Sequence, residues 1–100
     1  MALVKVAEAD DLKDGEGRVV AAAGKTIALF KQEGAFYAID NTCPHREGPL
    51  GEGMLQGMVV TCPWHGWQYD IATGVSPVVP TVKVSTYKVH VQGNDVLVDV

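Results

Sequence analysis

Cys43-Pro44-His45-Arg46-Glu47-Gly48-Pro49-Leu50 and Cys62-Pro63-Trp64-His65-Gly66-Trp67 are the stretches from which the rest of this 100-residue chain can be read. Each sets one sulfur close to one imidazole, and the sixteen residues Arg46 to Thr61 separate the two pairs. Two such loops brought together present two thiolates and two imidazoles, a donor set suited to zinc or to an iron–sulfur cluster. The plain alternative is four unrelated loop residues. The crowding of proline and glycine in the same segments, with no other cysteine in the chain, weighs against it.

On either side the texture changes to short, valine-rich runs broken every eight to twelve residues by turn-formers, the rhythm of a small all-β domain. Arg18 to Ala23 and Thr26 to Lys31 flank Gly24-Lys25, where glycine can supply the positive φ of a tight hairpin turn. Ala35 to Asp40 adds a third strand after Gln32-Glu33-Gly34. Near the C-terminus Tyr87, Val89 and Val91 alternate with Lys88 and His90, and Gly93-Asn94 turns the chain into Val96, Val98 and Val100. Between these hairpins Met58 to Cys62 and Trp67 to Ile71 read as short strands joined through Pro63 to Gly66, and no segment reads as a helix. The expected architecture is all-β: one domain over residues 1–100, an antiparallel β-sandwich of short strands with an inserted site-bearing subdomain at about 41–80.

Hydrophobic residues make up 47% of the chain and charged ones 20%, which excludes the disordered and coiled-coil classes. A net charge of -4 argues against nucleic acid and favours a partner with a basic surface. Met1 to Val6 lacks the apolar core of a secretory signal and meets Asp10 and Asp11 almost at once. No apolar run approaches the ~20 residues of a membrane span. A cytoplasmic, reducing setting without membrane contact is the expectation, and there two cysteines serve better as metal ligands than as a structural disulfide.

The order Cys-x-His, spacer, Cys-x-x-His, with Gly48-Pro49-Leu50 and Gly53 in the spacer and Tyr69-Asp70 and Thr73-Gly74 after it, resembles the signature of the Rieske proteins. The likeness extends over nearly the whole chain and is nearest to the stand-alone Rieske ferredoxins of bacterial oxygenase systems. It implies the Rieske fold and a [2Fe-2S] cluster with Cys43 and Cys62 on one iron and His45 and His65 on the other. It further implies a monomeric one-electron carrier, not an enzyme, between a flavin-dependent reductase and a terminal oxygenase or hydroxylase. Two alternatives stand beside it: a small subunit of a nitrite reductase-like complex, and a structural zinc module, whose cysteines would more usually share one loop. Oxygenase catalysis needs a second iron on two histidines and a carboxylate. Beyond His45 and His65 only His90 remains, on the solvent side of an expected strand.

The resemblance also assigns roles around the site. High-potential relatives brace it with a disulfide at the positions of Gly48 and Trp64, and that brace is missing here. Trp67 replaces their hydrogen-bonding serine, whereas Tyr69 keeps the tyrosine. The implied potential is near the low end of the Rieske range, about -150 mV, and falls at alkaline pH as an imidazole loses its proton. Tyr69, Trp64, Gly66 and Pro77 are thus the expected surroundings of the ligands: Tyr69 as a hydroxyl donor or an ordinary strand aromatic, Trp64 as a docking or packing group. Gly66 would serve backbone geometry, and Pro77 would open Pro77-Val78-Val79-Pro80, either a third loop that shields the cluster from water as in members of the family or a plain linker. Arg46 and Glu47 are candidates for the docking rim or plain solvated charges.

Overall fold

A computed structural model describes residues 3–42, 49–63 and 66–100. Its strands are β1 (Leu3–Glu8), β2 (Glu16–Ala22), β3 (Lys25–Gln32), β4 (Ala35–Asp40), β5 (Met54–Gln56), β6 (Val59–Thr61), β7 (Gln68–Asp70), β8 (Thr86–Tyr87), β9 (Val89–Gln92) and β10 (Asp95–Asp99). They form three antiparallel sheets, ordered β1-β10-β9, β2-β3-β4-β8 and β5-β6-β7. The helical residues described are two single 3-10 turns, Ala9–Asp11 and Leu50–Glu52.

The β2-β3-β4 meander is built by two-residue turns. Ala22 pairs with Lys25, so the turn is Ala23-Gly24, both at positive φ (51° and 78°). The second turn repeats this with Glu33 at 52° and Gly34 at 80° between Gln32 and Ala35. Two positive φ values in succession are the signature of the turn that follows the right-handed twist of the strands. The expected Gly24-Lys25 turn is therefore one residue too late, since Lys25 already pairs in β3.

Strand β3 explains why the middle sheet holds the molecule together. Ile27, Ala28, Leu29 and Phe30 are all fully buried, because alternate residues serve opposite faces. Ile27 and Leu29 join Val20, Ala38, Val96 and Val98 in one apolar cluster under β1 and β10. Ala28 and Phe30 join Ile39, Leu50, Val60, Cys62, Tyr69 and Ile71 in a second cluster under β5-β6-β7. One sheet thus walls two cores, and the second is the floor of the site.

Three elements differ from the sequence reading, one of them β5 (Met54–Gln56), which had no sequence counterpart. The run expected from Tyr87 through Val91 is two strands: Thr86–Tyr87 pairs with β4, and Val89–Gln92 pairs with β10 after a break at Lys88. Val91 is correspondingly half exposed, at 49%, instead of facing the core, while His90 is exposed as expected. Strand β1 had no sequence counterpart, because its partner β10 lies at the other end of the chain.

Candidate metal centre

Of the four expected ligands Cys62 is described and buried, at 1% exposure, at the end of β6. Cys43, His45 and His65, together with Trp64, Arg46, Glu47 and Gly48, lie outside the described residues. What the structure gives is the footing of both ligand stretches.

The first stretch is closed at its base. Thr42 and Pro49 form an isolated antiparallel bridge on either side of 43–48. Below it, Asn41 gathers the returning chain: its carbonyl accepts the Leu50 amide at 2.7 Å and its side-chain Oδ1 accepts the Gly51 amide at 2.8 Å. Asn41 is one of two buried polar residues among those described. A buried amide left without an acceptor costs about 1–3 kcal/mol, so this pairing fixes the entry and exit of the loop together. The second stretch is closed by the Cys62 amide, which donates to the Trp67 carbonyl at 2.6 Å. Gly66, beside His65 in sequence, has φ +71°, a backbone state that side chains with a Cβ disfavour.

The two footings meet in one core. Leu50, directly after the first loop, and Cys62, directly before the second, belong to the same buried cluster as Tyr69. Tyr69 is fully buried in β7, opposite Val60 of β6. Pro77 is exposed and opens an exposed segment through Pro80. That segment faces Gly66, Trp67 and Gln68 across a shallow groove.

Next come the turns that deliver the chain to that segment. Asp70 Oδ1 accepts the amides of Ala72 and Thr73 at 2.8 and 3.2 Å, and the Asp70 carbonyl accepts the Gly74 amide. Gly74 sits at φ +76°, and a Cβ there would lie 2.3 Å from the Val84 carbonyl oxygen. Asp70 and Thr73-Gly74, singled out in the sequence, thus belong to one tight turn that follows Tyr69 of β7. At the edge of β4, Asp40 accepts the Tyr87 hydroxyl through Oδ1 and the Ser85 amide through Oδ2. Burial first, then the hydrogen bond and the charge of Asp40, push the Tyr87 hydroxyl up to about 12. Sequence reasoning missed this pair and Asn41, because their partners are distant in the chain or are backbone amides. The Ser76-Pro77 dipeptide was a readable turn signal.

A buried cysteine on an apolar floor, between the closed footings of two stretches whose sequence carries two sulfurs and two imidazoles, marks a small all-β protein with the donors for a mixed sulfur–nitrogen metal centre. The donor set fits an iron–sulfur cluster of that composition. The Rieske [2Fe-2S] domain model matches residues 2–88, and the chain belongs to that family. The ferredoxin component of the naphthalene 1,2-dioxygenase system of Pseudomonas aeruginosa is 34% identical over 90 residues, 89% of this chain and 86% of that protein. Among solved structures, the ferredoxin of carbazole 1,9a-dioxygenase from Nocardioides aromaticivorans superposes with a TM-score of 0.89 at 31% identity, covering 98% of this chain and 97% of that one. A complex of reduced oxygenase and oxidized ferredoxin in carbazole 1,9a-dioxygenase contains a chain matching at TM-score 0.87 and 33% identity, with 96% and 91% covered. The protein is accordingly an electron-transfer component with a Rieske-type [2Fe-2S] cluster, and not itself the catalyst. No helix among the described residues is long and apolar enough to cross a membrane.

Proposed function

We propose that this chain is a cytoplasmic, monomeric carrier that takes single electrons from a flavin-dependent reductase and hands them to a terminal oxygenase. Cys43 and Cys62 bind one iron and His45 and His65 the other, within a site-bearing subdomain at about 41–80 of a single domain. When bound, the cluster accepts and releases one electron. The protein's part is to hold the ligands on a dry floor, with Leu50, Tyr69 and Cys62 packed below, and to keep the imidazole end near the surface. Neutral imidazoles in place of two thiolates leave less negative charge on the cluster and raise its potential. The reading rests above all on Leu50 and Cys62 lying in one buried cluster, which supports a shared floor for the two Cys–His stretches. The ferredoxin names of the relatives support the choice of partner. The net charge of -4 fits a basic docking patch and electron transfer that slows as salt rises.

The test is an EPR spectrum of the dithionite-reduced protein together with iron and acid-labile sulfide analysis. Two irons and two sulfides per chain with a low average g value are expected, since two nitrogens ligate one iron. A colourless, sulfide-free protein holding one zinc would overturn the reading.

A further inference from the structure

We propose that Ser76 is a positioning residue for the redox site, its hydroxyl holding Val78 and Val79 as a fixed wall beside the turn that follows the second Cys–His stretch. The inference rests on the carrier reading above and adds a device to it. Ser76 is 1% exposed, whereas the four residues after it, Pro77 to Pro80, are all exposed. Its Oγ accepts the Val78 amide at 3.3 Å and the Val79 amide at 3.1 Å. Proline has no amide hydrogen, so these two are the only backbone donors that Pro77 to Pro80 possesses, and both end on one hydroxyl. Pro77 adds a fixed φ at the start of the turn, the position where a serine–proline pair directs the chain. The base of the segment is tied separately: the Ser76 amide donates to Val82, the Val82 amide donates back to Val79, and Val75 bridges Lys83.

The side chains this clasp controls do not pack in the core. Val78 is 69% exposed and Val79 37%, and with Gly66, Trp67, Gln68 and Ser76 they line the groove beside the site. Trp67, which lines the same groove, accepts the Cys62 amide through its carbonyl, so the groove borders a residue bonded to an expected ligand. Apolar packing cannot fix valines that are this exposed, and the backbone beneath them is fixed by Ser76 instead. Without the hydroxyl the wall loosens, and water and small solutes reach the Cys62 side of the site from the groove.

The experiment uses the cluster-loaded full chain as wild type, Ser76→Ala and Ser76→Thr. It measures hydrogen exchange by mass spectrometry on the peptide spanning 77–80 and the rate at which ferricyanide bleaches the visible chromophore. In the wild type the two amides of that peptide exchange slowly despite the exposed side chains. In Ser76→Ala they exchange about tenfold faster, as the loss of a shared acceptor implies. Bleaching speeds up severalfold while the unfolding midpoint moves little, and Ser76→Thr restores both rates. Free-peptide exchange in the wild type, or faster amides with unchanged bleaching, would overturn the proposal. If Ser76→Ala does not fold, the wild-type and Ser76→Thr amide rates decide the clasp. A wild-type protein without iron and sulfide defeats the carrier reading instead, while the same amide rates still judge the clasp on its own.

Discussion

The β2-β3-β4 meander and the β5-β6-β7 sheet are both antiparallel, yet they are held in different ways. The meander pairs residue for residue from Glu16↔Lys31 to Ala22↔Lys25 and from Gln32↔Ala35 to Ile27↔Asp40, and its central strand is buried on both faces. The strands β5, β6 and β7 have three residues each, and the chain around them is fixed by single contacts. These are the Thr42–Pro49 bridge, Asn41 on Gly51, Cys62 on Trp67, Asp70 on its turn and Ser76 on the two valines. A scaffold secured by many redundant contacts tolerates the loss of one. A site rim secured by a few individual side chains does not, and its geometry can be altered without unfolding the molecule.

The largest expected effect is on the scaffold. Phe30→Ala removes a fully buried ring from the floor shared with Leu50 and Cys62, and should cost about 3–5 kcal/mol in denaturant unfolding. A loss under about 1 kcal/mol would mean that the two-sided burial of β3 is not what holds the cores together.

Gly74→Ala comes next, at about 2 kcal/mol or more, because the new Cβ meets the Val84 carbonyl and the residue must keep a positive φ. Equal stability of variant and wild type in thermal melts would show that the turn from Asp70 relaxes freely.

Asn41→Ala should lower stability by about 1–3 kcal/mol through the buried Gly51 amide it leaves unmatched. Its iron should also be lost to a chelator faster than that of Phe30→Ala variants brought to the same stability. Equal iron retention at matched stability would erase the distinction between the two regions.

The smallest effect concerns Tyr87 and its bond to Asp40, which joins β8 to the end of β4. The folded-state value of about 12 lies above the ordinary value of 10.0, so the neutral hydroxyl is favoured by folding. That contribution is fully present below pH 10 and is lost as pH rises toward 12. In Tyr87→Phe this alkaline loss should shrink, and spectrophotometric titration should lose a tyrosine that ionises near pH 12. Loss of a tyrosine that ionises near pH 10 instead would place the hydroxyl in water.

Much of this was legible because the signals are local. Ala35 to Asp40 is the strand the sequence marks, and the C-terminal hairpin turns at Gly93-Asn94 as read, because turn residues and alternation act over a few neighbours. The break at Lys88 was not legible: Tyr87 joins Asp40 in the β2-β3-β4-β8 sheet while Val89 goes to the β1-β10-β9 sheet, and the contact across 47 residues overrides the local alternation. Strand β1 was missed for the same reason, although Val4 and Val6 alternate with Lys5. At the site, the donor types, the tight turn at Gly74 and the Ser76-Pro77 turn could be read from residue chemistry, whereas Asn41 could not, since what it binds are backbone amides that carry no residue identity.

By itself the sequence determined the chemistry of this protein: two sulfurs and two imidazoles in glycine- and proline-rich loops between β-hairpins, because ligand type and turn propensity belong to individual residues. Only the tertiary structure decided that one sheet walls two cores, that Leu50 and Cys62 share a floor, and that single buried side chains clamp the loops. Those outcomes depend on contacts between residues far apart in the chain, where burial and the need to satisfy every backbone amide outweigh local preference.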